Sequence, residues 1–77
     1  MKTTMIRLKN VSEAQEFVEA AGKCDYEIDV KYNRIVVDAK SLLGVLSICN
    51  NPFMVCESGS DENFTKLLER FSVDKAE

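Results

Sequence analysis

The stretch YEIDVKYNRIVVDAKSLLGVLSI, residues 26–48, contains two strand patterns followed by a short helix pattern. Every second residue of its first part is apolar: Tyr26, Ile28, Val30 and Tyr32. This alternation is typical of a strand with one buried face. Asn33 and Arg34 predict a two-residue turn, because asparagine tolerates a positive φ. The residues IVVDA, 35–39, then return as the partner strand, so the stretch predicts a β-hairpin.

Ser41 lies where the hairpin pattern gives way to the apolar run SLLGVLSI, residues 41–48. Serine is a favoured N-cap residue, and this role alone is worth about 1 kcal/mol. The run is too short and too apolar for its buried face to be predicted from periodicity. Its three leucines are therefore either core residues or a partly exposed binding patch: Leu42, Leu43 and Leu46.

Two longer segments have apolar residues at the three, four and seven spacing of an amphipathic helix. The first stripe is Ala14, Phe17, Val18 and Ala21, and the second is Phe64, Leu67, Leu68 and Phe71. Asn10 or Ser12 can cap the first of these helices. Ser60 is the predicted cap of the second, with Asp61 and Glu62 in its first turn. Both stripes predict core rather than a cofactor site, because helical spacing explains them fully.

Two more strands complete the predicted order of elements. Residues 3–9 have strand-like composition, and FMVCE, residues 53–57, follows the turn signal NNP. The order strand, helix, strand, strand, helix, strand, helix predicts an α+β fold in which helices cover one face of a mostly antiparallel sheet. A chain of 77 residues is expected to form a single domain, residues 1–77, with residues 74–77 frayed.

Charge and residue types narrow the classes of function. Ten Lys and Arg against thirteen Asp and Glu give a formal net charge of -3 without a basic cluster, so neither nucleic acid nor an anionic membrane is expected as a partner. The chain has no histidine and no other evident general base, so we expect no enzyme. No apolar run is long enough to span a membrane, and MKTTMIRLKN lacks the pattern of a secretion signal, which predicts a cytoplasmic protein.

The three cysteines, Cys24, Cys49 and Cys56, are odd in number and form no CxxC pair. We therefore expect free thiols that are buried or half-buried. With no histidine available as a further ligand, the sequence predicts no metal site and no cofactor.

The stretch 26–48 resembles the HPr family, the histidine-containing phosphocarriers of the bacterial phosphoenolpyruvate:sugar phosphotransferase system. The run from Lys40 to Ser47 carries the resemblance most specifically, and the element order extends it from Ile6 to about Phe71. The resemblance implies an HPr-like open-faced β-sandwich, in which a four-stranded antiparallel sheet in the order 1-4-2-3 is covered on one face by three helices.

The loop before the first helix departs from the family. HPr proteins accept a phosphoryl group on a histidine there and pass it to sugar-specific components. Here the loop is replaced by LKNVSEAQEF, which is also shorter. Counting back without a gap from the second strand places Asn10 at the histidine position, whereas a gapped alignment leaves no equivalent. An amide offers no comparable nucleophile, so we expect a divergent member without phosphocarrier activity.

The resemblance gives Ser41 a second role besides capping. In low-GC Gram-positive relatives the matching serine is phosphorylated by an HPr kinase/phosphorylase, and the phosphoserine form is the corepressor of a LacI-type catabolite regulator. The family's apolar docking patch corresponds to Leu42, Leu43 and Leu46. These correspondences predict a module that regulates sugar use, with such a kinase or a transcriptional regulator as partner. The alternative is a protein-interaction or structural domain unrelated to sugar transport.

The shortened connection between the first strand and the first helix bears on assembly. Strain in a hinge favours exchange of the first strand between two chains. The sequence is compatible both with a monomer and with such a strand-exchanged dimer.

Overall fold

The computed structural model describes residues 2–73 of the chain, and their elements follow the predicted order. The strands are β1 (Lys2–Ile6), β2 (Ile28–Tyr32), β3 (Ile35–Asp38) and β4 (Phe53–Glu57). The helices are α1 (Val11–Gly22), α2 (Leu42–Leu46) and α3 (Glu62–Phe71). The predicted fraying of residues 74–77 lies outside the described residues.

The four strands form one antiparallel sheet in the order β1-β4-β2-β3. Directly opposed residues share a face, and one face carries Ile6 opposite Phe53. On the same face, Val30 lies opposite both Val55 and Val37. These side chains belong to the core that the three helices cover, while the other face of the sheet stays open. The predicted α+β sandwich and its strand order are therefore confirmed.

The core is centred on α1 and the aromatic residues around it. The Phe17 ring lies edge-on to Phe53 with 6.2 Å between centroids, and 5.7 Å from the Phe64 ring. Such aromatic pairs add to the stability that burial alone provides. Both predicted helical stripes face this core, since their members are either fully buried or packed against it. Their prediction as core residues is confirmed.

The first strand ends earlier than the predicted range 3–9. Ile6 pairs with Phe53, and the next pair along the register would place Arg7 opposite Pro52. Proline has no backbone N–H to donate, so the ladder stops there. Arg7 instead donates its backbone N–H to the carbonyl of Phe71, at 3.0 Å, which ties the end of β1 to the end of α3.

The predicted cap of α3 is wrong by one residue. Asp61, not Ser60, is the N-cap, and its Oδ1 accepts the backbone N–H of Phe64 at 2.9 Å. A carboxylate accepts this bond and also interacts with the positive end of the helix dipole, so it is the better cap of the two neighbours. Ser60 lies exposed before the helix.

The hairpin and α2 are in close contact. Asn33 has a φ of 54°, as the predicted two-residue turn requires, and Tyr32 pairs with Ile35 across it. α2 then lies over β3, where a Cβ added to Gly44 would come within 3.0 Å of the Val37 Cβ. Glycine at position 44 therefore permits the close approach that fixes α2 beside the hairpin.

Candidate functional site

Ser41 is the N-cap of α2, as predicted, and its side chain is exposed. Its backbone is extended, with φ -103° and ψ 113°. The Ser41 Oγ accepts one hydrogen bond, from the backbone N–H of Gly44, at the long distance of 3.3 Å. The hydroxyl thus caps the helix while it remains on the surface.

The turn from β3 into α2 is held by Asp38. Its Oδ1 accepts the backbone N–H of Lys40 at 2.9 Å, and its carbonyl accepts the backbone N–H of Ser41 at 3.0 Å. This is the local hydrogen bonding by which aspartate favours turns. The ammonium group of Lys40 donates to the carbonyl of Cys24 at 2.9 Å, beyond the end of α1. These three hydrogen bonds therefore hold the turn that leads into Ser41.

The leucines of α2 differ in exposure. Leu43 is 82% exposed, whereas Leu42 and Leu46 are half-buried and packed against the core. Val45 is the fully buried residue of the helix. We call the exposed hydroxyl and these leucines the α2 surface: Ser41, Leu42, Leu43 and Leu46. Of its three apolar members, Leu43 alone is mostly open to solvent.

Asn10 is the N-cap of α1, which decides between the two predicted caps, because Ser12 lies one residue inside the helix. The Asn10 Oδ1 accepts the backbone N–H of Glu13 at 2.9 Å. In return, the Glu13 Oε1 accepts the backbone N–H of Lys9 at 2.8 Å. This arrangement resembles a capping box, in which the second bond would come from the backbone N–H of the N-cap residue. Here it comes from Lys9, the residue before the cap. The side chain at the candidate histidine position therefore has a structural role.

The start of α1 is joined to the residues that follow α2. Asn50 donates its backbone N–H to the carbonyl of Leu8 at 2.8 Å, and Cys49 Sγ lies 3.3 Å from the same oxygen. Asn50 takes a φ of 79°, which asparagine tolerates better than most residues. Val11, the first residue of α1, is 55% exposed. Sequence reasoning did not identify Val11 as an exposed apolar residue. The available signal was its position outside the buried stripe of α1.

Glu57 is a second feature that sequence reasoning missed. It is fully buried at the end of β4, where its Oε1 accepts the phenol hydrogen of Tyr26 at 3.0 Å. The Glu57 Oε2 has no hydrogen-bond partner in the described part of the chain. Burial raises the pKa of Tyr26, and hydrogen bonding to Cys24 and Glu57 raises it further. Period-two alternation from Phe53 through Val55 was the available signal, because it assigns Glu57 to the core face.

The cysteines are free thiols, with Cys24 and Cys56 buried and Cys49 half-buried, as predicted. Among residues 2–73, no group of three or more His, Cys, Asp or Glu side chains is arranged to hold a metal ion. Within the same range, none of the helices has the length and apolar character needed to cross a membrane.

Comparison with known proteins identifies the family and the fold. The model of the family described as the PTS HPr component phosphorylation site matches residues 10–53, more than half of the chain. The chain belongs to the HPr family. HPr-C-His from Thermoanaerobacter tengcongensis is similar to it with 29% identity and a TM-score of 0.73, over 91% of this chain and 89% of that one. The phosphocarrier protein HPr from Bacillus anthracis str. Ames shares the fold at 20% identity and a TM-score of 0.71, over 92% of this chain and 96% of its own. No curated protein matches the chain.

The α2 surface lies within the part of the chain that matches the HPr family. HPr proteins are phosphocarriers rather than enzymes proper, and they interact with other proteins of the phosphotransferase system. The matched range begins at Asn10 and includes Ser41 and all three leucines of the α2 surface. The two helix starts described above therefore both lie in the region that relates this chain to HPr.

Proposed function

We propose that this HPr-family protein lacks phosphocarrier activity and acts as a cytoplasmic, non-enzymatic regulatory module that binds a protein partner through the α2 surface. Ser41 is the regulatory phosphorylation site in this proposal, and Leu42, Leu43 and Leu46 are the partner-binding residues. The observation that carries the proposal is an exposed hydroxyl at Ser41 beside the exposed Leu43, in a chain without histidine.

The loss of carrier chemistry is supported at Asn10. The 77 residues include no histidine, so no imidazole is available to accept a phosphoryl group. The Asn10 amide is not a comparable nucleophile, and its oxygen is already bonded to the backbone of Glu13. Transfer from phosphoenolpyruvate through the start of α1 is therefore not expected.

A phosphate on Ser41 is compatible with the local structure. The exposed Oγ gives up only one hydrogen bond, the 3.3 Å bond from Gly44. A phosphoryl group adds about -1.5 to -2 charges and three acceptor oxygens, which can accept the same backbone N–H. The modification would therefore change the charge of the α2 surface without removing the acceptor that caps α2.

Leu43 supports a docking role for the same surface. A leucine side chain that is 82% exposed gains about 1.5 to 3 kcal/mol when a partner buries it fully. Leu42 and Leu46 present the remainder of their surface on the same short helix. An HPr kinase/phosphorylase or a transcriptional regulator is the class of partner that we propose.

Incubation with an HPr kinase and labelled ATP tests the regulatory site. We expect label on the wild type and on Ser47→Ala, and none on Ser41→Ala. Ser47 is the matched control because it is an exposed serine at the other end of α2, where its hydroxyl donates to the Gly44 carbonyl at 2.6 Å. Label that is absent from the wild type, or unchanged in Ser41→Ala, refutes regulatory phosphorylation of Ser41. The alternative hypothesis, an interaction or structural domain unrelated to sugar transport, is then favoured.

Phosphoenolpyruvate and the upstream enzyme of the phosphotransferase system test the loss of carrier chemistry separately. We expect no phosphoryl transfer to this chain under conditions that fully phosphorylate a histidine-containing HPr. Transfer to any residue of the chain would contradict the proposal, whatever the result at Ser41.

A further inference from the structure

The outer edge of β3 is an unused pairing surface. β3 is the last strand of the sheet, and no strand among residues 2–73 pairs with its outer side. Ile35 and Val36 are 45% and 57% exposed, which is unusual for a run of β-branched residues. An edge strand of this kind offers backbone N–H and C=O groups to another strand.

The pairing of β3 with β2 determines which backbone groups are free. Tyr32 and Ile35 close the two-residue turn, and Ala39 donates its backbone N–H to the carbonyl of Ile28 at 3.0 Å. In an antiparallel strand the backbone groups of successive residues point to alternate sides. The odd-numbered residues of β3 therefore face β2, and the backbone groups of Val36 and the N–H of Asp38 point outward. The Asp38 carbonyl already accepts the backbone N–H of Ser41.

We propose that β3 pairs antiparallel with β3 of a second copy of this chain, with Val36 opposite Val36 on the two-fold axis. This register joins the two four-stranded sheets into one continuous sheet with the helices on the same face. The two Val36 residues exchange backbone hydrogen bonds, and Asp38 donates its N–H to the carbonyl of Arg34 in the other copy. A C2 interface requires such a self-complementary strand.

Charge complementarity selects this register. On the open face, Arg34 of each copy lies opposite Asp38 of the other, and on the helix face Ile35 lies opposite Val37. Moving the axis to Val37 would instead oppose Val36 to Asp38, so an apolar side chain would face a carboxylate. Moving it to the Val36–Val37 bond would oppose residues from different faces of the two sheets.

The monomer also contains a like-charge pair that the second copy relieves. Asp29 and Asp38 are directly opposed in the β2–β3 register, where two carboxylates repel each other. Arg34 has no ion pair with another residue in the described chain. In the proposed dimer the guanidinium group of each Arg34 lies opposite the carboxylate of Asp38 in the other copy. Both copies therefore gain an attraction between opposite charges that the monomer lacks.

Sedimentation velocity over a concentration series tests the assembly. Because strand-edge contacts are small interfaces, we expect a reversible monomer–dimer equilibrium with a dissociation constant on the order of 100 µM. Over the same series, hydrogen exchange of the Val36 and Asp38 amides should slow as the concentration rises. A chain that remains monomeric up to about 1 mM, ten times that constant, overturns the proposal.

Exchange of charges tests the register. Arg34→Asp opposes two carboxylates across the interface, and Asp38→Arg opposes two guanidinium groups, so each variant alone should dimerise at least about tenfold more weakly. An equimolar mixture of the two variants restores both opposite-charge pairs and should dimerise like the wild type. Lys66→Asp, a charge reversal on the exposed surface of α3, is the control that should leave the equilibrium unchanged.

Val36→Lys provides an independent test in case Asp38→Arg, which removes the bond to the Lys40 N–H, fails to fold. It opposes two ammonium groups on the axis and should abolish dimerisation while circular dichroism remains that of the wild type. A dimer that survives Val36→Lys, or that persists on long dilution as a strand-exchanged dimer would, overturns the proposal. The proposal is also overturned if Arg34→Asp and Asp38→Arg are both folded and their mixture stays monomeric.

Discussion

Removing the Tyr26 hydroxyl isolates a buried carboxyl group. Glu57 is fully buried, and its Oε1 accepts only the Tyr26 hydroxyl, at 3.0 Å, while its Oε2 has no partner in residues 2–73. Tyr26→Phe retains the ring and deletes the donor to Oε1, so neither carboxyl oxygen of Glu57 then has a hydrogen-bond partner among residues 2–73. We expect the variant to fold with a lower free energy of unfolding.

The cost follows from leaving one acceptor of a buried group unpaired, which is about 1 to 3 kcal/mol. Because the Tyr26 ring is only half-buried, water can reach part of the vacated position, and we expect about 2 kcal/mol. With a urea m-value of about 1 kcal/mol per molar, the unfolding midpoint should fall by about 2 M. Urea titration followed by far-ultraviolet circular dichroism at neutral pH measures this shift.

A double-mutant cycle separates the hydrogen bond from the packing of the ring. In a Glu57→Leu background the carboxyl group is absent, and Tyr26→Phe should then cost less than about 0.5 kcal/mol. Tyr32→Phe is the matched control, since Tyr32 is the only other tyrosine and makes no side-chain hydrogen bond among the described residues. An equal cost of Tyr26→Phe in both backgrounds would refute the role assigned to Glu57.

Alkaline pH provides a second measurement on the same residue. Burial and hydrogen bonding raise the pKa of Tyr26 in the folded chain above its ordinary value of 10.0. A raised pKa means that the unfolded chain releases the proton first, so this contribution is fully present below about pH 10 and declines as the pH rises further. The decline is at most about 1.4 kcal/mol per pH unit, and Tyr26→Phe should lack it. Equal slopes above pH 10 in the wild type and the variant would contradict the raised pKa.

Three further predictions concern stability and binding. Gly59→Ala should cost about 1 to 3 kcal/mol, measured by thermal unfolding, because a Cβ there would come within 2.7 Å of the Tyr26 ring; an unchanged melting temperature contradicts this. Asn10→Ala should cost about 1 kcal/mol through loss of the α1 cap, and a cost no larger than that of Ser12→Ala would show that the cap is misassigned. Leu43→Ala should weaken partner binding with a stability change within about 0.5 kcal/mol, whereas the buried Val45→Ala should cost about 2 kcal/mol.

The features that sequence alone predicted are local ones. The hairpin follows from alternation over residues 26–32 and from the turn residue Asn33. These two signals are adjacent in the sequence, so a local pattern is enough to predict the hairpin. The two amphipathic helices follow from stripes of period 3.6 for the same reason. Strand order is different, because it depends on pairing between strands that are far apart in the sequence. The order β1-β4-β2-β3 was predicted from the resemblance to HPr, not from the residues.

The features that were missed depend on distant contacts or on competition between neighbours. The bond between Tyr26 and Glu57 joins residues 31 positions apart. Alternation along β4 assigns Glu57 to the core face, but no local pattern identifies Tyr26 as its partner. Ser60 and Asp61 are both good caps by composition. Only the position of the Phe64 N–H, which bonds Asp61, decides between them.

The starts of α1 and α2 are built alike but differ in chemistry, and this difference supports locating regulation at α2. Each begins with an extended residue whose side chain accepts the backbone N–H three positions on: Asn10 from Glu13 at 2.9 Å, and Ser41 from Gly44 at 3.3 Å. An amide oxygen can cap but cannot accept a phosphoryl group, whereas a hydroxyl can do both. Ser41→Asp should therefore keep α2 intact, because aspartate is also a favoured cap, while it adds the negative charge that the proposed phosphorylation would bring.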